Sequence, residues 1–332
     1  MSASRWILAS LGTLAGLAAA GALYQLVSEA TDRSKRPLPG KLVDVGGHRL
    51  HVHCTGEGSP TVVMDAGGAG CSLDWSLVQP EVAKFTRVCT FDRAGLGWSD
   101  PGPKPQSSQR IIEELDTLLS NAGIEGPYVL VGQSFGGQNM RLYASQHPDK
   151  VAGMVLVDSA HEDWGEIKFR APWRTRLAED VRMHVYDLNP ILARLGWLRL
   201  RGRPMGAVQG LPKEVQPVAT ALGLRSRAYD WIRGIATVIK MSDSQLRNSS
   251  PLPDIPLTVL SAHIRHRPWG IPAEEADRYW MTLQADLAGR VPNSTHTVSE
   301  KGGHNLHIDD PKLVVDAIRQ VVEAVRDNPS SQ

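Results

Sequence analysis

Short apolar, β-branched runs alternate with stretches of helical spacing along most of this 332-residue chain, and that alternation limits its fold more than any other feature. Strand-length runs occur at "PTVVMDA" (60–66), "TRVCTFD" (86–92), "PYVLVG" (127–132), "GMVLVD" (153–158), "PLTVLSA" (256–262) and "HTVSE" (296–300). Between them Ile111, Ile112, Leu115, Leu118 and Leu119 share one helical face that stops at Gly123, and further helices are expected over 273–288 and from Pro311 to about Arg326. Repeated βα units with short connections imply a mostly parallel sheet with helices on both faces, so the expected class is α/β. A hairpin, "KLVDV" and "RLHVHC" around Gly46-Gly47, opens the domain near residue 40.

The alternation stops between Ser159 and Pro253. Residues 160–252 are therefore expected to form a helical cap inserted between two parts of the core, 40–159 and 253–327. Residues 161–250 carry 15 Lys and Arg against 9 Asp and Glu, a local excess of +6 in a chain whose formal net charge is +1. In "NPILARLGWLRLRGRP" the apolar and basic residues separate on a helix. A basic outer face on a packed helix is the plainer reading, and a helix resting on a membrane surface is the other.

Residues 6–27 hold no charge over 22 positions, which as a helix matches the hydrocarbon thickness of a bilayer. The expected organisation is an N-terminal transmembrane anchor over 1–28 and a charged, Pro-containing linker over 29–39. The length of the run favours an anchor over a cleaved signal peptide and secretion, although Ala20-Gly21-Ala22 has the composition of a cleavage site. The near-neutral charge speaks against a nucleic-acid partner. Cys54, Cys71 and Cys89 have no metal-ligand spacing, so no metal is expected, and an odd count is not a complete disulfide framework.

One strand-to-helix junction carries chemistry. Gly132-Gln133-Ser134-Phe135-Gly136 is G-x-S-x-G, in which small neighbours permit a strained turn that pushes the serine out as a nucleophile. The helix that follows aims its N-terminal N–H groups and positive dipole end at the reacting centre.

With this junction, "FDRAGLGWSD" (91–100), "GGHNLHIDDP" (302–311) and "DAGGAGCSLDW" (65–75), the chain resembles the α/β-hydrolases over about residues 40–326, the cap excepted. The resemblance implies the α/β-hydrolase fold, a Ser134 nucleophile, His304 as its base, and an oxyanion hole from the backbone N–H groups of Gly68 and Phe135. Ala66 stands where the family usually has histidine. His307 is the competitor for the base, and Asp92 and Arg93 are expected to brace loops. His51 and His53 share a face of the hairpin but lack a third ligand, so a packed or solvated pair is expected. The usual position for the acid, in "HIRHRPWG" (263–270), has no carboxylate. Some relatives carry the acid one strand earlier, which points to Asp158, with Asp163 in reserve.

The implied function is hydrolysis of a carboxylic ester or related acyl bond, in a small-molecule or lipid-like substrate, through an acyl-enzyme and without a cofactor. The alternatives are a vestigial binding protein on the same fold, or a perhydrolase or carbon-carbon hydrolase using the same three residues. Specificity would sit in the cap, whose Trp164, Trp173, Trp197 and Trp231 either line a pocket or form its own core.

Overall fold

Eight strands form one sheet in the order β1-β2-β4-β3-β5-β6-β7-β8. They are β1 (Lys41–Asp44), β2 (Arg49–Thr55), β3 (Thr61–Asp65), β4 (Val88–Asp92), β5 (Tyr128–Gln133), β6 (Val151–Val157), β7 (Leu257–Ala262) and β8 (Ser294–Ser299). The computed structural model describes residues 3–35, 38–263 and 270–327, with the side chains of Ala3, Arg5, Met183 and His184 excepted. The first two strands pair antiparallel with each other and β2 pairs antiparallel with β4; the other pairings are parallel. The hairpin turns at Gly46 and Gly47, whose φ values of 106° and 93° suit glycine and whose N–H groups donate to the Asp44 carboxylate. Cys54 and Cys89 face each other across β2 and β4 and form a disulfide, leaving Cys71 as the free thiol.

The central strands β3, β4, β5, β6 and β7 are buried along their whole length, as parallel strands covered on both faces must be. Their side chains alternate between two cores. Val63, Leu130, Leu156 and Val259 join one with Leu115, Leu118 and Leu142; Val62, Val131, Val155 and Leu260 join the other with Val314, Ile318 and Val322.

The helices in chain order are α1 (Ala3–Lys35), α2 (Gln79–Val82), α3 (Ser108–Ala122), α4 (Phe135–Gln146), α5 (Trp173–Tyr186), α6 (Asn189–Arg194), α7 (Trp197–Leu200), α8 (Gln216–Gly223), α9 (Ser226–Ile232), α10 (Ile235–Arg247), α11 (Ala273–Gly289), α12 (Leu306–Asp309) and α13 (Pro311–Asp327). As the apolar spacing predicts, α3 ends where Gly123 takes the left-handed conformation. The chain leaves the sheet after β6 and returns at β7, and α5 to α10 lie in that interval.

The N-terminal helix differs from expectation at its end. It runs unbroken to Lys35, through most of the stretch expected to be a linker, because its second half is docked. The Gln25 amide donates to the Leu224 carbonyl, Glu29 accepts from Ser226, and Asp32 pairs with Arg199 at 2.8 Å. Its window of greatest hydropathy has no buried residues, and by length and composition the helix fits either a membrane span or a signal sequence.

Candidate active site

At the end of β5 the backbone turns sharply, placing Ser134 at φ 52° and ψ −119° immediately before α4. A side-chain-bearing residue rarely holds such a conformation, and here the surroundings enforce it. A Cβ at Gly132 would stand 2.5 Å from the Gly137 Cα, and one at Gly136 would stand 2.6 Å from the Ala66 carbonyl oxygen. Only glycines let β5, α4 and the neighbouring loop approach this closely, and the turn lifts Ser134 onto the floor of a cavity.

Two hydrogen bonds extend from it. Ser134 Oγ lies 2.9 Å from His304 Nε2, and His304 Nδ1 lies 2.6 Å from Asp158 Oδ2. Asp158 follows β6 and is fully buried, and its other oxygen accepts from the Ala262 N–H and the Trp280 indole N–H, both at 3.1 Å. Its φ of 42° is the second positive value at a non-glycine residue among the described residues. The carboxylate therefore has fixed partners on both oxygens, and the imidazole is oriented from its far nitrogen. Such an array can take a proton from the serine hydroxyl and return it.

The competing residues lie apart from this array. His307 is buried in α12 with its ring packed on Trp75 at 4.9 Å, and burial, aided by His304, pulls its pKa down to about 3. It stays neutral and forms no hydrogen bond among the described residues. Asp163 pairs with Arg247 at 2.9 Å and is half-exposed. The segment 264–269, where the acid usually follows, lies outside the described residues.

Asp92 and Arg93 brace different loops. Asp92 accepts from His51 Nδ1 at 2.8 Å and from the N–H groups of Ser72 and Trp98, which makes His51 a buried partner and not one of a solvated pair. Arg93 donates to the carbonyls of Gly67 and Gly68, and its guanidinium lies 3.7 Å from Asp65. It thus pins the loop carrying Gly68 from behind. Gly68 and Phe135 both line the cavity beside Ser134.

Two neighbours of the site, Gln133 and Asp243, have no place in the sequence reading, and a third, Arg93, has only part of one. Gln133, buried beside Ser134, donates to the His304 carbonyl at 2.9 Å and so ties the serine turn to the histidine loop. The signal available was a glutamine inside G-x-S-x-G. Arg93 was read as a brace without its target. Asp243 of the cap lines the cavity and accepts from Gln138 at 2.8 Å; burial pushes its carboxyl up to about 6 against the pull of that amide. No motif marks it.

The cap's entry is held by a buried charge network. Glu162 bonds to Arg141 at 2.9 Å and Arg290 at 2.7 Å. Burial opposes ionisation, but the two guanidinium groups win and hold the carboxyl at about 2. A depressed carboxyl contributes stability above its ordinary pKa of 4.5 that is lost as the pH falls toward 2. Glu162→Ala strands Arg141 and is accordingly expected to cost about 3–5 kcal/mol at pH 7, and about 2 kcal/mol less at pH 3, where part of the carboxylate's stabilisation is already lost. Thermal unfolding of the full chain at the two pH values checks this; an equal cost at both contradicts it.

The cavity above Ser134 has a volume of about 680 Å³. Trp164 and Trp231 line it together with Phe169, Ile235, Ile239 and Ile271, whereas Trp173 and Trp197 are exposed on the cap's outer side. Its volume is within the range of pockets that hold small molecules.

Residues 60–190 match the family model of the alpha/beta hydrolase fold. A protein of Hormonema carpetanum described as a probable transporter is 27% identical over 312 residues, covering 85% of this chain and 42% of that one. The 2-hydroxymuconate semialdehyde hydrolase of Pseudomonas sp. CF600 is 33% identical over 127 residues, 37% of this chain and 44% of that one. The chain thus spans less than half the length of either. Among solved structures, a thermophilic esterase from Thermogutta terrifontis superposes with a TM-score of 0.57 at 21% identity, over 86% of this chain and 98% of that one.

Proposed function

We propose that this chain, which has the α/β-hydrolase fold, is a membrane-anchored serine hydrolase that cleaves a carboxylic ester through an acyl-enzyme. The observation that carries this reading is the Ser134–His304–Asp158 array, with contacts of 2.9 and 2.6 Å, whose serine lines a largely apolar cavity. Ser134 Oγ attacks the ester carbonyl while His304 Nε2 takes its proton, and the buried Asp158 carboxylate stabilises the imidazolium. The N–H groups of Gly68 and Phe135 receive the oxyanion, with Arg93 fixing the Gly68 loop. Collapse of the tetrahedral intermediate expels the alcohol, which takes the proton from His304. A water then repeats the sequence on the acyl-enzyme, releasing the acid and restoring Ser134.

The helix α1 supplies the anchor through residues 6–27. The Cys54–Cys89 disulfide supports a hydrolase domain on the oxidising side of the membrane. A panel of esters of increasing acyl length, assayed on the full chain with and without lipid, tests the activity. Hydrolysis that rises with acyl length to fill the cavity is expected; no turnover of any ester supports the binding-protein alternative.

A further inference from the structure

We infer that the cap segment 173–200 is a second membrane-contact surface, seated on the lipid bilayer beside α1, so that the outer wall of the cavity lies against lipid and the substrate is drawn from the bilayer. This rests on reading α1 as membrane-spanning. The first argument is one of depth. A Cβ at Gly21 would overlap the Leu195 carbonyl, and one at Gly196 would stand 2.8 Å from the Gly21 carbonyl oxygen and 3.1 Å from the Tyr24 ring, so the turn between α6 and α7 touches α1 at Gly21. The uncharged run continues to Val27, six residues further, or about 9 Å along a helix. If residues 6–27 fill the hydrocarbon core, that turn cannot stand clear in water; it sits within the bilayer's edge. Of the polar contacts of α1 with the cap, Gln25 with Leu224 and Arg199 falls two residues before the run ends, while Glu29 with Ser226 and Asp32 with Arg199 come two and five residues after Val27, about a half and one and a half turns on, at headgroup level.

The second argument is the orientation of α5, which is the reverse of a water-facing helix. Trp173, Leu177, Val181 and Val185, spaced four apart, are exposed by 62, 56, 57 and 58%. The opposite face, with Thr175, Arg176, Glu179 and Asp180, lines the cavity. An amphipathic helix turns its apolar stripe toward the apolar phase, and here that stripe points away from the protein. Two residues after α5, α6 and α7 continue the exposed surface with Ile191, Trp197 and Leu200. Arg174 lies over the Trp173 ring at 5.4 Å and Arg201 over the Trp197 ring at 5.7 Å. Paired tryptophan and arginine at the margin of an apolar surface suit an anionic lipid interface. One helix therefore presents lipid-facing residues outward and cavity-lining residues inward.

The test uses the full chain in vesicles of phosphatidylcholine and phosphatidylglycerol carrying a diazirine on one acyl chain, with adducts mapped by peptide mass spectrometry. Adducts within residues 6–27 and also within 173–200 are expected. Adducts confined to 6–27 overturn the inference and leave the anchor standing; none in 6–27 shows that the anchor reading itself has failed, and this inference with it. In a second measurement, a Leu177→Asp/Val181→Asp variant is expected to raise KM at least about tenfold for a vesicle-embedded long-chain ester, through lost apolar contact. Its turnover of a short water-soluble ester should be unchanged. Equal effects on both substrates, or none on either, overturn the inference.

Discussion

Ser134→Ala is expected to abolish ester hydrolysis, with a loss on the order of 10⁶ in kcat, while the protein remains folded. The Cβ that occupies the strained turn is kept, so the packing of β5, α4 and the 66–68 loop is unaltered. What disappears is an oxygen whose hydrogen bond goes to His304 Nε2 at 2.9 Å. A single bond of that kind contributes about 1 kcal/mol to stability, so the thermal midpoint should barely move. The measurement is kcat on a short activated ester beside a melting curve of the same sample. Turnover within tenfold of the unaltered protein would remove Ser134 from the mechanism.

Asp158→Asn is expected to lower kcat by about 10⁴ and to leave KM close to its original value. Asp158 Oδ1 accepts from two buried N–H groups, those of Ala262 and Trp280, and an asparagine keeps these bonds only by placing its carbonyl there. Its NH₂ group then faces His304 Nδ1. That nitrogen must become an acceptor, so the proton moves to Nε2, which can no longer take the serine proton. The substitution selects the wrong tautomer without opening a cavity. Asp163→Asn, acting on a half-exposed partner of Arg247, should leave turnover unchanged. The paired kinetics check the assignment, and the opposite pattern would transfer the role of acid to Asp163.

The fold was legible in the sequence because each element carries its own period. The central strands are continuous apolar runs that parallel pairing buries on both faces, and α3 stops at the glycine that its pattern marks. The hairpin was equally readable from two glycines between alternating runs. The end of α1 was not. Residues 29–35 are polar and look like linker, and they are helical because Glu29 and Asp32 bind a cap whose position no local pattern encodes. At the candidate site, Ser134 is marked by the glycines its strained turn requires and His304 by the loop before the last helix. The structure brings both together with Asp158. The roles of these residues remain the proposal made above. Arg93 was legible as a loop brace but not its target, and Gln133 and Asp243 went unread, because their partners are loop carbonyls and cap groups distant in the chain. The exposed stripe of α5 has plain helical spacing, but which way it faces is a property of the folded cap alone.

The central claim is that Ser134 is a nucleophile activated by His304. It is tested most directly by incubating the full chain with a fluorophosphonate and mapping the adduct by mass spectrometry. The account predicts one phosphonylated residue, Ser134, with labelling abolished in Ser134→Ala and slowed by orders of magnitude in His304→Ala. An adduct on another residue, or undiminished labelling in Ser134→Ala, would contradict it.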